Sequence, residues 1–166
     1  MTPKGPVLKV ELQKADVAGR VAADVVLQRA ELAAVLGARF PAVLKAGSAR
    51  RAADRAVLFQ QGDPGDALLF LLSGDVRLVA RKDTDTVELG LAHRGDVVGE
   101  WEVLDGHGPR QVTAIATGVV EFVELSRTSL LEATGALPKA LEAFLASRRA
   151  ERRKALDDMT DFLNRW

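Results

Sequence analysis

Short apolar runs dominate the middle of the chain. Val57–Gln60, Leu68–Leu72, Val76–Ala80, Thr86–Leu91, Val112–Ala116 and Val119–Leu125 are each rich in β-formers. Four Gly-Asp pairs, Gly62-Asp63, Gly65-Asp66, Gly74-Asp75 and Gly95-Asp96, supply turn signals around them. In Val76-Arg77-Leu78-Val79 and in Val120-Glu121-Phe122-Val123-Glu124-Leu125 the polar residues mark an outward face. Many short strands, punctuated about every ten residues, predict an antiparallel sandwich or barrel. Nine of the fourteen glycines fall between Gly62 and Gly118, so the turn-rich region is confined to this middle.

The flanks carry helical periodicity instead. Val17, Val21, Val25, Leu32 and Val35 recur in an alanine-rich stretch, which predicts a helix over residues 15–36. Phe40-Pro41 breaks it, and Pro41 suits the first turn of a further short helix. Beyond the strands, Ser126 reads as an N-cap for a helix over 127–133, and Gly135 as its stop. Pro138 then heads a long helix reaching toward Trp166. Leu141, Leu145, Arg148, Arg152, Leu156, Met159, Leu163 and Trp166 lie on one face of that helix. Its two arginines either snorkel and pair with nearby carboxylates or pass an anionic pocket. Three segments result: helical residues 1–47, a β-barrel over 48–126 and C-terminal helices over 127–166. Residues 1–27 contain either an extra docking helix, a strand around Val7–Leu12, or a lead-in peptide.

Composition removes several kinds of chemistry. The 166 residues include no cysteine, hence no disulfide, no thiolate nucleophile and no cysteine zinc site. The two histidines, His93 and His107, cannot build a multi-histidine metal cage and fall in expected loops. No serine or cysteine triad can be assembled around them, so no catalytic residue and no metal ligand is assigned. Lys+Arg and Asp+Glu each number 23, which leaves no global pull toward nucleic acid. Basic Arg148, Arg149, Arg152, Arg153 and Lys154 are interleaved with Glu151, Asp157, Asp158 and Asp161, a self-neutralising pattern. The longest uncharged run, Gln111 to Val120, has ten residues, and no membrane span or signal-peptide core is expected. These features point to a cytoplasmic, non-enzymatic protein.

One ordered set of motifs goes further. Val57-Leu58-Phe59-Gln60-Gln61-Gly62-Asp63, Leu69-Phe70-Leu71-Leu72-Ser73-Gly74, Gly95-Asp96-Val97-Val98-Gly99-Glu100 and Pro109-Arg110 follow one another at fixed separations. Together they resemble a cyclic-nucleotide-binding domain, the regulatory module of catabolite-activator-type transcription factors, cyclic-nucleotide-dependent kinases and gated channels. The resemblance covers roughly residues 28–166, with its specific motifs within 57–126. It implies an antiparallel double-stranded β-helix (jelly-roll) barrel with N-terminal helices and a long C-terminal helix. It also implies a ligand, cAMP or cGMP, and no other cofactor. In transcription factors of this family a DNA-reading domain lies beyond the last helix. No such domain and no DNA binding are expected for this chain.

By resemblance, ligand-binding roles fall on Gly99, Glu100 and Arg110, with the backbone N–H groups of Trp101 and Glu102 assisting. The chemistry fits. A planar guanidinium can hold a cyclic phosphate bidentately, and glycine lets the backbone approach the anion closely. A carboxylate can accept a hydrogen bond from a ribose hydroxyl. Three departures stand beside the match. Gln111 replaces the hydroxyl residue that commonly follows the arginine. Glu102, preceded by bulky Trp101, replaces a small residue beside the phosphate. Ala155 and Leu156, on a helix lid that would also include Arg148 and Arg152, lack the hydroxyls that cap the base.

Two functions follow. In the first, the chain is a ligand sensor whose last helix moves on binding and alters an interface with a second copy or a partner protein. In the second, the barrel is a retired sensor and scaffold, with Glu102 filling the phosphate site. The apolar end of the last helix, at Met159, Phe162, Leu163 and Trp166, serves either.

Overall fold

The computed structural model describes residues 9–11, 17, 21, 23–106 and 108–164. Ahead of residue 48, Val17, Val21 and Ala23 are helical, followed by α1 (Val25–Gln28), α2 (Glu31–Leu36), a 3-10 turn at Gly37–Arg39 and α3 (Phe40–Ala46). The single helix expected over 15–36 is interrupted for local reasons. Asp24 is extended, and its side chain accepts from the N–H groups of Val26 and Leu27, starting a new helix. Ala30 is also extended, at ψ 146°, and separates α1 from α2. Pro41 sits in the first turn of α3, where its missing N–H costs nothing.

The strands are β1 (Lys9–Glu11), β2 (Ser48–Ala52), β3 (Val57–Phe59), β4 (Leu68–Lys82), β5 (Asp85–Ala92), β6 (Val97–Val98) and β7 (Thr113–Leu125). They form one antiparallel sheet in the order β1-β2-β7-β4-β5, with β3 also on β7 and β6 also on β4. Of the alternatives left open for residues 1–27, the described part contains the strand, Lys9–Glu11, paired to β2.

Four of the expected strands are halves of two. Gly74 and Gly118, at φ 82° and 74°, lie inside β4 and β7 rather than between separate strands. The two long strands pair from Leu68↔Leu125 to Val79↔Thr113, with register shifts beside Ser73. A Cβ on Gly74 would lie 2.3 Å from the Val119 carbonyl oxygen, so only glycine lets the strands meet there. Each long strand thereby serves both layers of the jelly roll: β4 pairs β6 then β5, and β7 pairs β3 then β2.

The sheet is buried on both faces. Leu68, Phe70 and Leu72 face a helical core with Leu32, Phe40, Leu130, Leu141 and Leu145. Their alternates Leu69 and Leu71 face the sheet interior with Val76, Leu78, Trp101, Val120 and Phe122. Uninterrupted apolar sequence at Leu68–Leu72 follows from this two-sided burial. α4 (Glu100–Asp105) bridges the cores, Trp101 entering the interior and Val103 the helical side. After β7, α5 (Arg127–Thr134) is capped by Ser126, whose Oγ accepts from Ser129 N–H at 3.0 Å, and ends at Gly135. α6 (Lys139–Asn164) then packs across α4, α2 and β5. Among the described residues, no helix is long and apolar enough to cross a membrane.

Candidate anion-binding site

β6 ends at Val98, and Gly99 turns the chain into α4 at φ 92°, a left-handed value that suits glycine. A Cβ on Gly99 would lie 2.5 Å from the Ala67 carbonyl oxygen and 2.9 Å from Nη1 of Arg110. Gly65 gives way on another side, where a Cβ would lie 2.6 Å from Arg110 Nε. The guanidinium therefore sits between two glycines, 4.2 Å from the centroid of the Phe59 ring. The Gly62-Asp63 motif anchors the same arginine through its backbone. Arg110 N–H donates to Asp63 O, and Gly62 N–H donates to Arg110 O, both at 2.8 Å.

The arginine fork is already engaged. Nη1 donates to Oε1 of Glu102 and Nη2 to the Ala67 carbonyl oxygen, each at 2.9 Å. Both members of the ion pair are buried, Arg110 at 5% exposure and Glu102 at 3%. Burial pushes the Glu102 carboxyl above its ordinary value of 4.5, and the Arg110 hydrogen bond and charge pull against that rise. Glu102 thus occupies one edge of the guanidinium to which the resemblance gives a phosphate-binding role.

Glu100 goes elsewhere. Residues two apart on a helix diverge by about 200°, and Glu100 meets α6, where Arg152 Nη1 donates to its Oε2 at 2.6 Å. Arg148, the other stripe arginine, reaches Glu31, Asp96 and Glu151 at 3.2, 3.4 and 3.2 Å. Arg149 joins Asp105 at 2.8 Å. Three arginines within two turns thus tie α6 to α2, the Asp96 turn and α4. The stripe arginines pair with carboxylates, as one of the two readings holds.

The expected site residues separate accordingly. Gly99, Glu102 and Arg110 come together; buried Glu100 and half-buried Arg152 form a second pair. Gln111 is exposed, and its Nε2 donates to the Pro109 carbonyl oxygen at 3.1 Å, so its side chain turns away from the guanidinium while its backbone N–H favours the charged form of Glu102. Trp101 packs into the sheet interior, with the Arg153 guanidinium 6.0 Å from its ring. Leu156 packs against that interior cluster and Ala155 is half-buried. Phe59, Gly65 and Ala67 complete the site. Phe59 lies in a quoted motif and Gly65 in a Gly-Asp pair, but only the fold brings them to Arg110. His93 lies in a surface turn, its Nδ1 2.7 Å from Asp75 Oδ1; His107 and Trp166 lie outside the described residues.

A bent antiparallel jelly roll, a glycine-led short helix beside a buried arginine, and a long C-terminal helix together make a recognisable regulatory-domain fold. The chain belongs to the cyclic nucleotide-binding domain family, whose profile matches residues 49–135. It is similar to the cAMP-bound regulatory domain of Toxoplasma gondii PKA, at 21% identity and a TM-score of 0.69, covering 84% of this chain and 53% of that one. It is also similar to Thermus thermophilus catabolite activator protein, at 28% identity and a TM-score of 0.64, covering 78% and 62%. The N-terminal domain of a transcriptional regulator from Streptomyces coelicolor, at 28% identity and a TM-score of 0.63, is covered to 96% by 81% of this chain. The chain therefore spans only about half to three-fifths of the first two proteins. No curated protein matches it.

Proposed function

We propose that the chain is a non-catalytic, cytoplasmic regulatory module in which Glu102 takes the place of the ligand phosphate. Of the two functions, this is the scaffold reading, given a specific cause. The observation that carries it is the Arg110–Glu102 pair, 2.9 Å long and buried on both sides. A cyclic phosphate offers Arg110 one negative charge; Glu102 offers the same charge from within the chain, with no translational entropy to lose. With Arg152 on Glu100, the module holds α6 against the sheet without a small molecule. The distal end of α6, with Met159, Phe162 and Leu163 exposed, then serves as an interface with a second copy.

A second reading has its own support. Arg110, Gly99 and Glu100 are all present, and a cyclic nucleotide that displaced Glu102 from Arg110 and drew Glu100 from Arg152 would regain the phosphate and ribose contacts that the resemblance implies. Melting measurements separate the two. At a hundredfold excess over its dissociation constant, a ligand stabilises by about 2.7 kcal/mol, a rise on the order of 5–10 °C for a domain of this size. The parent should not respond to millimolar cAMP or cGMP, whereas Glu102→Gly should gain a response that Arg110→Ala abolishes. A parent that responds as Glu102→Gly does would establish the second reading.

A further inference from the structure

Glu102 and the Ala67 carbonyl oxygen bond two edges of the Arg110 guanidinium, and half-buried Phe59 lies against its flat face, 4.2 Å from Cζ to the ring centroid. Gly65 and Gly99 make room for the group without orienting it. An irregularity in the sheet delivers the ring. β3 pairs with β7 at Val57↔Ile115 and Phe59↔Ala114, so three residues of β3 stand opposite two of β7. In a regular strand Leu58 and Phe59 would turn to opposite faces; here Leu58 belongs to the interior cluster and Phe59 packs against it. The loop after β3 then ties itself to the arginine. Gly62 N–H donates to Arg110 O and Arg110 N–H to Asp63 O, both at 2.8 Å, so ring and guanidinium sit on one hydrogen-bonded frame.

We propose that Phe59 is the positioning residue of the anion site: its ring fixes the plane of the Arg110 guanidinium so that Nη1 faces the anion. A guanidinium stacks through its flat face and bonds through its rim, so one contact leaves the other intact. Rotation about the Cδ–Nε bond would swing Nη1 off Glu102, and the ring stands in the way of that rotation. The attraction between cation and ring strengthens where water is excluded, and Arg110 is exposed by only 5%. A leucine at this place would still be apolar, yet it offers no π face and leaves the plane free to turn. The bulge in β3 thus has a use: it re-aims one side chain toward the group that carries the charge. This inference rests on Arg110 being the anion-holding group, as proposed above, and not on which anion it holds.

Glu102 itself is the reporter. Arg110 and the backbone N–H of Gln111 favour its charged form, whereas burial and the neighbouring Glu100 oppose it. An NMR titration of its carboxyl carbon in the full chain, assigned by the signal lost in Glu102→Gln, reads how well Arg110 is aimed. Phe59→Leu should raise the titration midpoint above that of the parent, though by less than Arg110→Gln does. Phe59→Tyr, which keeps the ring, should restore the parental midpoint; a ring that serves only as packing would not tie the titration to aromaticity. A second reading needs no variant to fold. In the parent, the ring current of Phe59 should displace the Arg110 guanidinium proton signals upfield of those of exposed Arg39 and Arg55. The inference alone is overturned if Arg110→Gln moves the midpoint and Phe59→Leu does not, if Phe59→Tyr moves it as far as Phe59→Leu, or if the parent shows no upfield displacement. A midpoint that ignores Arg110→Gln overturns the Arg110–Glu102 pair and the inference with it. No nucleotide enters the measurement, so the response to cAMP is judged separately.

Discussion

At Arg110 the guanidinium is satisfied on two edges and stacked on a ring, so its charge is buried but not wasted. Breaking such a pair from one side costs about 3–5 kcal/mol, because a buried charge remains. Glu102 also contributes a pH dependence with a definite sign. Its folded-state value is raised above 4.5, so the protonated form favours folding. That contribution is complete below pH 4.5 and is lost as pH rises through the higher folded-state value. Urea unfolding across this window should show the parent losing stability relative to Glu102→Gln as pH increases; parallel profiles would contradict the assignment. The resemblance of the Gly95–Glu100 and Pro109-Arg110 motifs singled out Gly99 and Arg110, with Glu102 as a departure beside them, and the fold brings these three together. The sequence could not tell which partner each carboxylate chooses. That depends on the rotational phase of α4, which separates Glu100 from Glu102 and aims one at α6 and the other at Arg110.

Among the elements, α6 depends on contacts of very different worth. Arg152 meets Glu100, a carboxylate exposed by only 1%, whereas Arg149 meets an exposed Asp105. Arg152→Ala should accelerate hydrogen exchange along Lys139–Asn164 and lower stability by about 3–5 kcal/mol. Arg149→Ala should change stability by less than about 1 kcal/mol. Equal effects would show that α6 is held by apolar packing alone. The helix ends were readable because Ser126, Gly135 and Pro138 each solve a terminal hydrogen-bonding problem. β2 was not readable: Ser48–Ala52 contains two arginines and no β-branched residue. Its stability comes from β7, opposite which Arg50 and Arg51 find Glu124 and Glu121. Gly74 looked like a turn between strands because its sequence, Gly-Asp, is that of a turn; the bend it makes lies within β4.

For the whole molecule, the two-faced burial of β4 and β7 makes the sheet a mount for α6, whose far end carries the partly exposed Met159, Phe162 and Leu163. Phe162 is 55% exposed beside Met159 and Leu163. Sedimentation velocity should find a concentration-dependent dimer in the parent and a monomer in a Met159→Ser/Phe162→Ser variant; a parent that is monomeric throughout would instead assign this end to a different protein. The jelly roll and the family were recoverable from the order of the motifs around Gly62, Gly74, Gly95 and Gly99, and the flanking helices from apolar periodicity and their end residues. The closed state of the site was not, since it arises from long-range convergence of Phe59, Gly65, Ala67 and Glu102 on one guanidinium. Calorimetric titration of cAMP into the parent and into Glu102→Gly, at one pH and salt concentration, tests that closure most directly. Removal of the internal carboxylate should tighten binding by about a hundredfold or more, the equivalent of roughly 3 kcal/mol. Equal affinities in the two proteins would contradict the account.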